Sequence, residues 1–361
     1  MVSTSYPRST EDWQGRFIAD MVDALAHRAD VDLALWAPPG ERPEGVRYAA
    51  TTSESDWLSR VAAQGGIASK LRGNRVRAAW AALGLITRLA CAYRREKPGL
   101  AHVNWLQNAL PLWGTKTPLL VTVLGSDFGL LRLPGMSAML RAVFMQRPTV
   151  IAPNAAWMKP TLERLFADVA LVRPVPFGVD ARWFQINRHQ IEPQTWLAVT
   201  RITRDKIGDL FEWGEGLFGG TRQLHLFGPM QEPLTLPPWV SWHGPTHPAE
   251  LRERWFPRAT GLITLSRHHE GRPQVMLEAM AAGVPIIASD LPAHRDFVHH
   301  EMTGWLVQDR QAFGVALRYL EAPQLNRHIG KAAQRWVKET IGDWDDCAAR
   351  YRELYAELLA E

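Results

Sequence analysis

The chain has 361 residues, of which 46% are hydrophobic and 22% charged, a globular composition long enough for two domains of ordinary size rather than a disordered or fibrous one. Lys and Arg exceed Asp and Glu by four, so an acidic partner is compatible with the charge without being demanded by it, and nothing in the balance calls for nucleic acid. No run of about eighteen apolar residues and no secretory leader pattern occurs, and Cys91 and Cys347 have no metal-ligand spacing, so the expectation is a cytoplasmic chain.

In chain order, Arg16 to His27 carries apolar residues at helical spacing, Val31 to Trp36 reads as a strand, and Val76 to Arg95 reads as a long helix. Strands are predicted at Ala101 to Val103, Leu119 to Leu124 and Val150 to Ala152. The stretch from Val172 through Pro174, Pro176, Phe177 and Gly178 is rich in proline and ends in glycine, as a hinge between domains would be. A second alternating series follows, with strands at Trp196 to Thr200, Gln223 to Phe227, Val240 to Trp242, Gly261 to Leu265 and Pro285 to Ala288. A final helix is expected over about Trp344 to Leu359. Strands alternating with helices predict parallel α/β domains. Sixteen tryptophans are available for stacking on sugars, but the default role of each is core packing.

The stretch from Ser266 to Val298 carries most of the functional information. Pro273 suits the first position of a helix, and Gly283 followed by Pro285 ends it. Glu278 then lies on the helix, and Glu270 lies in the loop before it. Two carboxylates flanking a positive helix end suit a ligand with hydroxyls at both ends and phosphates between, because free N–H groups attract anions and carboxylates accept hydroxyl protons. A nucleotide sugar is such a ligand. His268, His269 and Glu270 are adjacent on one loop and lack the i, i+4 geometry of zinc helices, so no metal and no cofactor is expected.

The same stretch, SRHHEGRPQVMLEAMAAGVP, resembles the E-x7-E segment of the retaining glycosyltransferases of family 4. The resemblance implies a GT-B fold, two Rossmann-like doubly wound domains facing a cleft, with a C-terminal helix crossing back to the first domain. It divides the chain into an acceptor-binding domain at 1–177, joined by the helix 343–361, and a donor-binding domain at 178–342. It implies that Glu270 holds hydroxyls of the transferred sugar, that Glu278 holds the ribose, and that the backbone of Gly271, Arg272 and Pro273 lines sugar and phosphates. Arg201 and Lys206 match the R-x4-K pair that clamps the donor diphosphate, although Ile207 stands where the family has glycine. Gly15 remains from the glycine-rich loop near the N-terminus. Gly125-Ser126-Asp127 resembles the H-G-[ST]-D turn, with Leu124 in the histidine position and His102, Ser126 and Asp127 as candidates for the sugar or acceptor; a Ser-Asp at a strand end is equally a helix cap. Phe177-Gly178-Val179-Asp180 resembles the N-G-V-D hinge, with Phe177 for Asn.

The activity implied is transfer of a sugar from a UDP-, GDP- or other nucleoside-diphosphate donor to a glycan or lipid-linked acceptor, in cell-surface polysaccharide or glycolipid synthesis. A sugar-nucleotide epimerase and a non-catalytic sugar-nucleotide-binding protein are the alternatives. Arg77, Arg88 and Arg95 are eleven and seven residues apart, so at 100° per residue they fall within about 20° on one helix face. That stripe is expected to give peripheral contact with an anionic membrane at its inner face; a solvated helix face is the plainer expectation.

Overall fold

The computed structural model describes residues 1–9, 12, 15–63, 75–189, 193–268 and 271–360. Two units are present, Met1–Phe177 with Trp344–Glu361, and Gly178–Asp343. The chain passes from one to the other at the proline-rich stretch, between Phe177 and Gly178.

In the first unit a parallel sheet runs β3 (Ala101–Asn104), β4 (Leu119–Val123), β5 (Thr149–Pro153) and β6 (Leu171–Val172). A short parallel pair, β1 (Ala34–Leu35) and β2 (Arg47–Tyr48), lies nearby, and Val2 bridges Trp36 to Val103. Every residue of β3, β4 and β5 is buried, as happens when helices cover both faces of a parallel sheet. One face packs α1 (Arg16–Ala26) and the C-terminal helix α7 (Trp344–Ala360) through Ile18, Val22, Leu120, Val150, Tyr351 and Leu354. The other face packs α2 (Thr52–Ala63), α3 (Arg75–Glu96), the 3-10 segment Leu106–Leu112, α4 (Met136–Phe144) and α5 (Lys159–Phe166).

The second unit has six parallel strands in the order β12-β11-β10-β7-β8-β9. They are β7 (Gln194–Val199), β8 (Arg222–Phe227), β9 (Val240–Trp242), β10 (Gly261–Thr264), β11 (Ile286–Ser289) and β12 (Trp305–Val307). The chain builds outward from β7 through β8 to β9, then returns to β7's other side as β10. The strand order therefore reverses between β7 and β10, and in such open sheets ligands bind beyond the carboxyl ends of the strands at that reversal. Helix α6 (Gln274–Ala281) and the helix Pro323–Thr340 cover one face, and the helix Arg310–Glu321 covers the other.

The expected elements appear within one or two residues of their predicted ends, except that the strand expected from Val31 begins only at Ala34, and there are additions. β2, β6, β12 and the helices α2, α4 and α5 were not predicted, and β6 takes Val172 out of the hinge. Pro273 needs a correction. Its ψ of 115° is extended, so it precedes the helix and Gln274 is the first helical residue.

The arginine stripe also needs correcting, because the face it occupies is turned onto α2. Arg95 pairs with Glu54 at 3.0 Å and donates to the carbonyl of Ala49 at 2.6 Å. Burial alone would push the Glu54 carboxyl up, but the bonds from Arg95 and Thr51 outweigh it and hold the group below its ordinary range. The Arg88 guanidinium lies 4.6 Å from the Trp57 ring centroid, a cation–π contact. The side chain of Arg77 lies outside the described ones. Two of the three cations thus join α3 to α2 and do not reach for a membrane.

Candidate active site

The segment after β7 and the segment after β10 are locked together in the second unit. Thr203 caps the short helix Arg204–Ile207 by accepting from the Lys206 N–H at 3.2 Å, and Ile207 is buried in the core. Gly208 follows at φ +54°, and a Cβ placed there would lie 1.8 Å from the Leu265 carbonyl oxygen. Only glycine fits that approach. Around it the Asp209 N–H donates to Leu265 O at 3.3 Å, the Arg267 N–H donates to Asp205 O at 2.8 Å, and Arg267 forms an ion pair with Asp209. Ser289 extends the lock to β11 by donating to Ser266 O at 2.6 Å.

This lock carries the two candidate cations. Arg201 and Lys206 are both half-buried, Arg201 two residues past the end of β7 and Lys206 on the short helix. Among the described residues Arg201 has no carboxylate partner. Glycine stands two residues past Lys206, in Lys206-Ile207-Gly208. Gly208→Ala forces both a left-handed backbone and a clash with Leu265. It should lower stability by about 2–4 kcal/mol, from left-handed strain plus overpacking, as read by urea denaturation.

Beyond the lock, Glu270 and His269 lie outside the described residues. Gly271 is buried, and Arg272 turns its side chain inward to an ion pair with Asp296, each side chain only 6% exposed. The Arg272 guanidinium also faces the Phe297 ring at 5.8 Å. Of the three residues assigned to the sugar and phosphates, Arg272 can therefore offer its backbone only. Helix α6 begins at Gln274, whose side-chain amide donates to Gly178 O at 2.7 Å. Met276, Leu277, Met280 and Ala281 are buried while Glu278 is half-buried, so Glu278 stands on the side of the helix away from the core. It is four residues past Gln274, about 6 Å down the axis from the start of the helix.

The far end of α6 is held as firmly. Arg188 donates to the carbonyls of Gly283 and Ala259 and to Asn326, and burial pulls its guanidinium down to about 10. A Cβ on Gly330 would come within 2.0 Å of Gly283 O, which lets the helix Pro323–Thr340 lie directly against the end of α6. Arg188, Asp296, Gly208 and Gly330 were not predicted as parts of the site. Each holds a segment that bears a predicted residue.

The candidates in the first unit have structural employment. His102 is buried, with Nδ1 2.6 Å from Tyr355 Oη and Nε2 2.7 Å from Thr122 Oγ1. Desolvation holds its pKa well below the usual range, so it is a neutral pin between β3, β4 and α7, and it is corrected as a sugar ligand. Asp127 is buried and accepts from the Leu106 N–H at 2.7 Å and the Leu124 N–H at 2.8 Å. Burial raises its carboxyl to about 6 despite those bonds. It too is corrected, because both oxygens are committed to backbone. Ser126 is exposed and makes no side-chain cap, and Leu124 is half-buried. Gly15, at φ +74°, allows the start of α1 to approach the backbone of Ser5 and Tyr6. Phe177 fills its departure from the hinge pattern by packing between Phe17 and Trp344.

Among the described residues no group of three His, Cys, Asp or Glu side chains could hold a metal ion, and no helix is long and apolar enough to cross a membrane.

Residues 219–322, which contain β8 to β12 and α6, match the family described as Glycosyl transferases group 1. The match lies within the second unit. The chain is 34% identical over 108 residues to a D-inositol 3-phosphate glycosyltransferase of Streptomyces avermitilis, a match covering 29% of this chain and 23% of that protein. The chain thus spans about a quarter of the length of the curated relatives it matches. In three dimensions the sucrose-phosphate synthase of Thermosynechococcus elongatus superposes with a TM-score of 0.73 at 20% identity, over 96% of this chain and 93% of that one. Anabaena HepE in complex with UDP and glucose superposes at 0.65 with 12% identity, over 95% and 96%. The fold is GT-B, with a parallel α/β sheet in each of two units.

Proposed function

We propose that the chain is a retaining, metal-independent glycosyltransferase of the family 4 type, which moves a sugar from a nucleoside diphosphate to a glycan or lipid-linked acceptor. The observation that carries this reading is the lock around Gly208 and Leu265. It joins the Arg201–Lys206 segment to the segment that leads into α6, at the point where the strand order reverses. Arg201 and Lys206 would then face the diphosphate beside the N-terminus of α6. Glu278 would accept the ribose hydroxyls one turn further along, and Glu270 would accept hydroxyls of the transferred sugar.

As the sugar C1–O bond to phosphate breaks, the leaving diphosphate gains charge, and fixed cations in a preorganised site stabilise it without a metal. The acceptor hydroxyl attacks C1 from the side that the phosphate leaves, and its proton passes to the departing phosphate oxygen. The configuration at C1 is retained, and no carboxylate need form a covalent bond. The residues at 1–177 would bind the acceptor and those at 178–342 the donor. Work in surface polysaccharide or glycolipid synthesis on the cytoplasmic side fits such an acceptor.

The test combines a melting-shift screen of nucleoside diphosphates with the anomeric configuration of the product. Binding of one diphosphate, transfer without added metal and an unchanged anomer are expected. Conversion of donor to an epimer would instead establish an epimerase, and binding without turnover a sugar-nucleotide-binding protein. Glu278→Ala should weaken donor and free diphosphate alike, because both carry the ribose. Loss of a charged acceptor costs about 1.5–3 kcal/mol, roughly ten- to a hundredfold in Kd by titration calorimetry. An unchanged Kd for the free diphosphate would remove Glu278 from the ribose.

A further inference from the structure

Between residues 57 and 162 the sequence holds fourteen Lys and Arg against two Asp and Glu, although the whole chain carries only +4. Some of the fourteen have carboxylate partners, Arg95 in Glu54 and Glu96, Arg141 in Asp168 and Lys159 in Glu163, whereas Arg94, Lys97, Lys116 and Arg132 stand exposed. This stretch supplies α3, the segment Leu106–Leu112 and α4, which pack together on one face of the first unit's sheet.

The outward side of that layer is apolar where a soluble surface would be polar. On α3 the exposures are 69% for Trp80, 53% for Leu83 and 38% for Ile86. At 100° per residue Trp80, Leu83, Thr87, Cys91 and Arg94 fall within about 80° of one another, a stripe opposite the face that packs on the core. Arg94 ends this stripe exposed, with Lys97 beside it. Further along the layer the Gly114 N–H donates to Gln146, which brings Trp113 and Met145, both well exposed, to one corner. Lys116 and Arg132 are exposed nearby in sequence.

We infer that this face docks on an anionic lipid bilayer through Trp80 and Leu83, with the surrounding cations drawing it to the surface. Indole and aliphatic groups partition into the headgroup boundary, and Lys and Arg pair with acidic lipids. A second copy is a poorer occupant, because the same face on a partner would bring two cation-rich surfaces together. The inference goes beyond the donor site and does not rest on the arginine stripe, two members of which are committed to α2.

Sedimentation with vesicles of phosphatidylglycerol and phosphatidylcholine in equal parts tests it, with phosphatidylcholine alone as the reference. The intact protein should pellet with the mixed vesicles at low salt and release at high salt. The double variant Trp80→Ser/Leu83→Ser should lose about tenfold or more in vesicle affinity. Its melting temperature should stay that of the parent, since both side chains are exposed, which separates lost docking from lost folding. Absence of parent binding to the mixed vesicles would overturn the inference. So would undiminished binding of the variant, or a parent dimer in solution that the variant dissolves.

Discussion

Asp296→Ala should lower the free energy of unfolding by about 3–5 kcal/mol, because it takes the carboxylate from a guanidinium that is itself removed from water. Arg272 and Asp296 are each 6% exposed, so solvent cannot replace the lost partner as it would at the surface. A surface pair such as Arg173–Glu357, each half exposed, should change by less than about 1 kcal/mol on the same substitution. The paired variant Arg272→Met/Asp296→Leu isolates the cause. It removes both charges and should recover much of the loss, since an ion pair and an apolar pair of similar volume often break even inside a protein. Chemical denaturation of the four proteins reads this directly. A single variant as stable as the parent would mean that Arg272 does not depend on Asp296. The consequence for function is positional, because Arg272 lies two residues ahead of α6 and its anchoring fixes how the chain enters that helix.

The elements that could be read from the sequence are those whose apolar residues are contiguous or periodic. β4 and β5 are largely apolar strands, and α1 keeps its spacing over three turns. Helix α2 was hidden because it buries a carboxylate, Glu54, beside Leu58 and Val61, and a buried acid reads as a polar position until Arg95 is brought to it. The arginine stripe shows the same limit from the other side. Helical periodicity correctly set Arg88 and Arg95 on one face, but only tertiary structure shows that Glu54 and Trp57 occupy the space before them.

The site divides in the same way. Arg201, Lys206 and Glu278 could be proposed from the sequence because their spacing is local. Gly208, Arg188 and Asp296 were not, since their meaning is a contact with Leu265, Gly283 or Arg272 far away in sequence. For His102 and Asp127 position in the chain suggested ligand chemistry. Burial and hydrogen bonding tie His102 to the sheet and Asp127 to the backbone of Leu106 and Leu124 instead.

Removing both Arg201 and Lys206 should abolish most binding of the free nucleoside diphosphate, whereas Glu270→Gln should leave it nearly unchanged. The difference follows from what each residue is proposed to touch. A cation hydrogen-bonded to phosphate contributes about 1.5–3 kcal/mol, so the two together would account for a hundredfold or more in Kd. Arginine holds phosphate with two parallel N–H groups and lysine acts as a point charge, so Arg201→Lys should recover only part of the loss. Because phosphate belongs to both donor and product, the double variant Arg201→Ala/Lys206→Ala should raise the Kd of each in parallel. Glu270→Gln keeps the size of the side chain and one acceptor oxygen but loses charge opposite the sugar alone. If that contact strengthens as C1 becomes cationic, kcat and kcat/KM fall together, about tenfold for each 1.4 kcal/mol lost. Calorimetry of the free diphosphate and steady-state kinetics with the donor separate the two classes. Parental turnover in Glu270→Gln would make the first glutamate structural. Parental diphosphate affinity in the double variant would move the phosphates away from the β7–β10 reversal, and with them the proposed donor site.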